Sequence, residues 1–378
     1  MKKFTVCILV LATLIFALCS CGTSGENTKS TSPAVSAGTV QITDMLGRMV
    51  SVPSEVKRPV CIGAGCLRLY SYIGDMSILA GVENCDKGVL FTARPYQYAN
   101  NELFNSLPTI GAGGSQGSPE AEAIVSVNPD VIFAIYNSME AAEFDELQQK
   151  TGVPVVVLSY GQTEAFDDAI NDSLTIMGTV LGKTERTEEV KKYIADIKED
   201  LDTRTKDIKD EDKKSVYIGC LNKKGTHGIE SSSADYSLFD AVHAKNVLDE
   251  AGYSGYQSSI DTETLITLNP DVIILDAGGL ENFKTQYDEN KKVYDSITAF
   301  KNGEVYVQMP YNAYYTNLEI AYADAYFIGK TLHPETFSDI DINAKLKEIT
   351  EFLLGTDCTQ YVYELTGLEY GKLELANF

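Results

Sequence analysis

Glu122-Ala123-Ile124-Val125-Ser126-Val127-Asn128-Pro129-Asp130-Val131-Ile132-Phe133 returns 141 positions later as Glu263-Thr264-Leu265-Ile266-Thr267-Leu268-Asn269-Pro270-Asp271-Val272-Ile273-Ile274. Each copy opens with apolar residues at helical spacing, is stopped by Asn-Pro, and runs into a short apolar stretch beginning at Asp-Val-Ile. Proline cannot continue a helix, and a short apolar run bounded by turn residues has the pattern of a strand buried on both faces. Such strands belong to parallel sheets, whose neighbours are reached only by crossovers, so each copy predicts an α/β sheet of its own. The repeat predicts two lobes.

The flanking sequence agrees. Apolar runs at 59–62, 79–82, 131–135 and 153–158 supply strands to the first lobe, and runs at 215–219, 246–248, 272–275 and 305–308 supply the second. Residues 40–52 alternate around Leu46-Gly47 and read as a hairpin. Between the lobes, 184–212 is dense in Glu, Lys, Asp and Arg, lacks Gly and Pro, and carries Val190, Tyr193, Ile194, Ile197 and Leu201 at helical spacing. It predicts one long helix, capped by Thr184 or Thr187, with Glu188 and Glu189 complementing the dipole. A coiled-coil partner is the alternative; a single helix between matching lobes is more simply a strut, and it allows only small closure.

The 378 residues suit two domains of ordinary size, and 44% hydrophobic with 22% charged residues is a globular composition. Lys and Arg number 31 against 54 Asp and Glu, a formal charge of −23. So acidic a chain, without a basic patch, excludes nucleic acid as a main partner. Met1-Lys2-Lys3 and the apolar run 4–18, about 15 residues, read as a signal peptide rather than a spanning helix. The run ends in Leu18-Cys19-Ser20-Cys21-Gly22, which resembles a bacterial lipobox. The resemblance makes Cys21 the lipidated first mature residue; losing residues 1–20 removes Lys2 and Lys3 and moves the charge to −25. The expected organisation is a signal peptide at 1–20, a Ser/Thr/Gly-rich tether at 21–39, a first lobe at 40–183, an inter-lobe helix at 184–212 and a second lobe at 213–378. The mature chain keeps Cys61, Cys66, Cys85, Cys220 and Cys358 with no CxxC pair, so no zinc site is expected. A Cys66–Cys85 disulfide rests on proximity alone.

Two Rossmann-like α/β lobes joined by one long helix, on an exported lipidated chain, resemble the helical-backbone (class III) solute-binding proteins of ABC importers, which bind ferric siderophores, haem or vitamin B12. The resemblance rests on Ile42-Thr43-Asp44-Met45-Leu46-Gly47-Arg48, both Asn-Pro-Asp-Val-Ile copies, Asn302-Gly303-Glu304-Val305-Tyr306 and a C-terminal helix at 317–332. It implies a monomer held on the outer face of the cell membrane by lipid at Cys21. It implies a dimeric permease as partner, docked through Glu122 and Glu263. It implies no cofactor and no enzymatic activity, with a ferric chelate as cargo; a corrinoid, haem, or molybdate or tungstate is the alternative cargo.

Ligands of open α/β lobes sit outside the carboxyl ends of the strands. The loops there hold Arg68, Arg94, Tyr96, Tyr136 and Tyr160 in the first lobe, and Lys224, His227, Tyr236, Tyr311, Tyr314 and Tyr315 in the second. Basic residues gathered in these loops suit an anionic ligand. With 22 Tyr and no Trp, aromatic contact falls to Tyr and Phe, and the run from Tyr311 to Asn317 is the best aromatic candidate. Gly63-Ala64-Gly65 lacks the third glycine of a dinucleotide turn, and 111–117 lacks the Lys of a phosphate loop. An exported hydrolase needs a Gly-x-Ser-x-Gly or His-Glu-x-x-His constellation, which is absent; a structural adhesin leaves the paired Glu residues unused.

Overall fold

The chain starts its fold by laying a hairpin against the first sheet. Strands β1 (Thr39–Thr43) and β2 (Met49–Pro53) pair antiparallel around the expected turn, with Ile42 opposite Val50. β3 (Pro59–Ile62) leads into α1 (Cys66–Ile73), followed by α2 (Pro95–Ala99), α3 (Asn101–Ser106) and α4 (Ala121–Ser126). β4 (Val131–Ala134), α5 (Ala141–Thr151), β5 (Val155–Val157) and α6 (Asp168–Leu181) complete the first lobe, whose parallel sheet runs β3-β4-β5. The computed structural model describes residues 38–376 apart from 89, 91–93, 115–116, 163 and 224. The signal peptide, Cys21 and nearly all of the tether fall outside the described residues.

α7 (Thr184–Thr205) joins the lobes, burying Val190, Ile194, Ile197 and Leu201 along one stripe and stacking Tyr193 on Phe352. It is shorter than the 184–212 span: after Thr205 the chain turns, and 210–212 forms a single 3-10 turn. Neither Thr184 nor Thr187 caps it; Lys183 is the cap residue, and the Thr187 hydroxyl donates to the Lys183 carbonyl (2.9 Å).

The second lobe adds β6 (Ser215–Gly219), β7 (Ser232–Ser233), α8 (Ser237–Asp240), β8 (Lys245–Asn246), α9 (Val247–Glu250), β9 (Tyr256–Gln257), α10 (Thr262–Leu268) and β10 (Val272–Asp276). α11 (Leu280–Tyr294), α12 (Thr298–Asn302) and β11 (Val305–Gln308) follow. The last elements are α13 (Leu318–Leu332), α14 (Ile342–Leu354), α15 (Thr359–Thr366) and β12 (Gly371–Lys372). The second sheet runs β12-β11-β10-β6-β8, parallel except for β12. α14 packs on α1 and α2 of the first lobe, α13 packs on α7, and one core cluster runs from Val50 through Val216 to Val362. No helix among the described residues is long and apolar enough to cross a membrane.

Two expected strands come out differently. The 79–82 run makes only isolated backbone contacts, Ala80 N–H to Pro59 O (3.0 Å) and a bridge from Val82 to Thr109, and at Gly81 a Cβ would strike Ile110 and the Pro108 carbonyl. At 246–248 the strand ends at Asn246, whose side chain accepts from Leu248 N (3.1 Å) and starts α9 instead.

The repeated motif explains its own spelling. Asn128 (φ 47°) and Asn269 (φ 44°) sit in the left-handed region where each helix ends, a conformation asparagine tolerates better than most residues. The next Asp then secures the neighbouring strand. Asp130 Oδ2 accepts from Lys57 N (2.6 Å) and Arg58 N (3.0 Å), and Asp271 Oδ2 accepts from Ser215 N (2.9 Å).

The hairpin is fastened by a nearly buried ion pair. Arg48 Nη2 donates to Asp44 Oδ2 (2.7 Å) and to Val155 O (2.6 Å), and Asp44 also accepts from Val157 N (3.2 Å). Removing one partner of such a pair strands the other without water. Arg48→Ala is expected to cost about 3 kcal/mol in urea unfolding followed by circular dichroism. Lys57→Ala, whose pair with Glu55 is exposed, is expected to cost less than about 1 kcal/mol. Equal losses for the two variants contradict this account.

Candidate functional site

The carboxyl ends of β6, β10 and β11 surround a pocket open to solvent. Its wall after β6 is Leu221, Asn222 and Lys223; Asp276 ends β10, and Tyr311, Asn312 and Thr316 follow β11. Ser233, Tyr236 and Tyr256 close the sides, and Glu164 reaches in from the first lobe. The pocket therefore lies between the lobes. Its polar floor is ordered: Gln308 Nε2 donates to Tyr236 Oη (3.0 Å), Gly278 N donates to Asp276 Oδ1 (2.8 Å), and Ser231 Oγ lies 2.8 Å from Tyr256 Oη. The Lys223 ammonium stands 5.2 Å from the centre of the Tyr256 ring.

Of the residues expected to bind, Tyr236 and Tyr311 line this pocket. The first-lobe residues form a different, buried cluster. The Arg68 guanidinium is fully buried: Nε donates to Asn317 Oδ1 (3.1 Å), Nη1 to the Tyr314 and Thr316 carbonyls (3.1 and 3.0 Å), and Nη2 to the Ala313 carbonyl (2.9 Å). It also lies 4.8 Å from the centre of the Tyr96 ring, and Nη1 reaches Tyr160 Oη (3.3 Å). Arg94, equally buried, donates to the Cys85 carbonyl (2.7 Å), lies 3.9 Å from Asp86 and sits under Tyr314. Tyr96 donates to Asp86 (2.5 Å) and Tyr136 to Glu83 (3.1 Å). Both arginines thus join protein groups inside the molecule; the expectation of a basic cleft does not match their burial.

Tyr314 (φ 51°) and Tyr315 (φ 66°) occupy successive left-handed positions in the turn that Arg68 holds, and Tyr315 leans on Tyr160 at 5.7 Å between ring centres. His227 lies 3.2 Å from the Lys223 carbonyl and is not part of the pocket wall. Lys224 falls outside the described residues. Glu164 and Tyr256, which do line the pocket, carry no signal in the sequence: each sits in a loop or two-residue strand without periodicity. Glu122 and Glu263 lie exposed in the first turns of α4 and α10.

Glu83, Cys85 and Asp86 bring three ligand-type atoms within 4.8 Å of one another, the one such group found among the described residues. Glu83 already accepts from Gly63 N (2.8 Å) and Tyr136, and Asp86 from Tyr96, with Arg94 close by, so the cluster reads as an internal charge network. The same Glu83 carboxylate occupies the glycine turn before α1, where Gly63 and Gly65 have positive φ and a Cβ would strike Ile135 O and the Tyr160 ring. The thiols of Cys61, Cys66, Cys85, Cys220 and Cys358 are all free, so Cys66 and Cys85 are not bonded; burial and the neighbouring Cys66 push the Cys61 thiol up.

A pocket at the strand ends of one α/β lobe, walled in part by the other, in a chain whose lobes are joined by the long helix α7, is the arrangement of a two-lobed binding protein. Residues 73–311, more than half of the chain, match the periplasmic binding protein family, and the chain belongs to it. Its members bind solutes and are not enzymes. YhfQ of Bacillus subtilis, assigned as an ABC transporter substrate-binding lipoprotein, is 25% identical over 317 residues, covering 81% of this chain and 90% of that one. Among solved structures, a periplasmic solute binding protein from Veillonella parvula is similar with a TM-score of 0.64 and 17% identity, covering 87% of this chain and 98% of that one. MolA of Haemophilus influenzae, solved with molybdate, gives a TM-score of 0.61 and 18% identity, covering 84% and 98%. At such identities these structures share the fold.

Burial raises two carboxyls near the seam, Glu83 to about 8 and Asp276 to about 7. An acid whose folded pKa lies above its unfolded value keeps its proton in the fold while the unfolded chain gives it up, so stability falls as pH rises between the two values. The free protein is therefore expected to be more stable at pH 5 than at pH 8. Glu83→Gln and Asp276→Asn are each expected to flatten the dependence of melting temperature on pH. A profile as steep in the double variant as in the parent contradicts the assignment.

Proposed function

We propose that this protein is the extracytoplasmic solute-binding subunit of an ABC importer, tethered to the membrane through lipid on Cys21. It captures an iron complex of the ferric siderophore kind in the inter-lobe pocket and delivers it to a permease dimer. The substrate-binding role is supported by family membership and by YhfQ. The observation that carries the cargo is the pocket wall: Tyr236, Tyr256 and Tyr311 beside Asn222, Ser233 and Asn312 give ring faces and hydrogen-bonding groups together. A chelate presents the matching mixture, an organic shell studded with oxygens and amides.

A four-oxygen anion such as molybdate asks for something else, a small cage of converging donors. The arginines fitted for that task, Arg68 and Arg94, are buried against protein groups, and the described pocket carries Glu164 and Asp276 beside Lys223. A corrinoid or haem remains an arm of the test below.

Residues 22–378, the mature chain without the lipidated Cys21, lack tryptophan, so tyrosines carry the intrinsic fluorescence, Tyr236, Tyr256 and Tyr311 of the pocket wall among them. The protein is titrated with ferric hydroxamate, catecholate and citrate complexes, haem, cobalamin, molybdate and tungstate. Saturable binding of a ferric chelate is expected, weakened about tenfold or more by Tyr311→Ala or Tyr256→Ala, which is at least ~1.4 kcal/mol. Binding confined to an oxyanion, or ferric-chelate binding indifferent to both substitutions, overturns the cargo or the pocket assignment respectively.

A further inference from the structure

The described pocket wall holds its charge unevenly. Glu164 from the first lobe and Asp276 from the second both line it, against Lys223 alone. Among the described residues neither acid takes part in an ion pair, whereas Glu188, Glu189, Asp196, Asp200 and Asp202 of α7 all do. Asp276 is 1% exposed at the end of β10, the middle strand of its sheet, and its Oδ1 accepts from Gly278 N. Behind the wall a third acid, Asp324 on α13, is fully buried and accepts from Met309 N (3.1 Å) and Tyr370 Oη (2.7 Å). Burial pushes the Tyr311 hydroxyl up, and Asp276, Glu164 and Asp324 add to the rise. The negative field of all three acids thus meets at one ring of the wall.

Three tyrosine rings complete the wall, and an aromatic face attracts a cation. The chain already shows this pairing: the Lys223 ammonium stands 5.2 Å from the centre of the Tyr256 ring and in no ion pair among the described residues. No cation among the described residues lies over Tyr236 or Tyr311. Burial holds Asp276 at about 7, and a positive group brought beside it draws it back to the carboxylate. Acids and rings without cations, in a wall open to solvent, form a seat for positive charge supplied by the ligand. The formal charge of −23 attracts such a ligand from a distance.

We propose that the pocket selects its cargo by a cationic arm: a protonated amine of the ligand pairs with Asp276 and Glu164 and lies against Tyr236 and Tyr311. This rests on the importer reading above and names the class of chelate taken, one that ends in an ammonium. Taking an ammonium out of water is costly unless charge and hydrogen bonds replace the shell it loses. Two carboxylates and two ring faces supply that replacement. A neutral end group at the same place leaves both acids without a partner, and an anionic one adds repulsion.

The full-length lipoprotein in detergent is titrated by calorimetry with two forms of one linear ferric trihydroxamate, the first ending in a free ammonium, the second N-acetylated. Both carry the same iron centre and differ in that one charge. The ammonium form is expected to bind at least tenfold more tightly, about 1.4 kcal/mol or more. Asp276→Asn and Glu164→Gln are each expected to reduce this preference at least threefold. The preference is a ratio measured on one protein, so a general loss of folded material cancels from it. Equal binding of the two forms, or a preference untouched by both substitutions, overturns the proposal and leaves the ferric-chelate reading standing. If neither form binds, butylammonium decides. A saturable rise in melting temperature that Asp276→Asn abolishes keeps the cationic seat and removes this chelate as cargo; no rise removes both.

Discussion

A single buried guanidinium holds the seam of this molecule. Arg68 stands on α1 of the first lobe and spends its donors on the turn at 313–317 of the second, on three carbonyls and one side-chain amide. Burying a cation is costly unless it is fully hydrogen-bonded. Here the bonds go to neutral acceptors and to the Tyr96 and Tyr160 rings, which suit the flat, weakly hydrated guanidinium better than they would suit an ammonium. What Arg68 gains in contacts it gives to a strained turn. Tyr314 and Tyr315 both take left-handed backbone angles that such turns normally assign to Gly or Asn, at a cost of about 1–2 kcal/mol per residue. The turn persists because its carbonyls are fastened, and its neighbours Tyr311, Asn312 and Thr316 are thereby placed on the pocket wall.

The rest of the architecture limits how far that seam can move. α7 is one continuous helix of 22 residues, and α14 and α15 return from the second lobe to pack on α2 of the first. A core shared across the lobes cannot be opened wide without exposing apolar surface, so the pocket is largely formed before a ligand arrives. Preorganisation of this kind spares the ligand the cost of ordering loops. The internal acids fit the same picture: Glu83 and Asp86, buried beside Arg94 and the Tyr96 and Tyr136 hydroxyls, make a network whose charge is adjusted by protonation as well as by pairing.

Periodicity and punctuation made most of the fold readable. The strands at 59–62, 215–219 and 305–308 are continuous apolar runs, and the Asn-Pro-Asp copies mark both helix ends and strand starts with residues whose backbone preferences leave little choice. The site was readable only by region. Placement at the carboxyl ends of strands located Tyr236 and Tyr311, yet composition could not separate an arginine that faces a cleft from one that faces a turn brought in from some 245 residues away, as Arg68 does. Glu164 and Tyr256 escaped for the same reason: tertiary packing alone brings them to the pocket. The 79–82 run differs locally: its backbone meets Pro59 and Pro108–Ile110 at single points rather than along a paired strand.

The acidity of the chain acquires a different meaning once the arginines are inside. Charge counted along loops pointed to an anionic ligand, but charge counted in space leaves Glu164, Asp276 and Lys223 around the described pocket and sends Arg68 and Arg94 to structural work. The pocket wall is then made largely of tyrosine faces, amides and hydroxyls, while Glu122 and Glu263 sit outward on α4 and α10. The division follows from the repeat. In each copy Asn and Pro end the helix, Asp ties down the adjoining strand, and the residues one turn apart before them face solvent. A segment whose inward side is committed to the fold leaves its outward side exposed to solvent, and it does so in both copies.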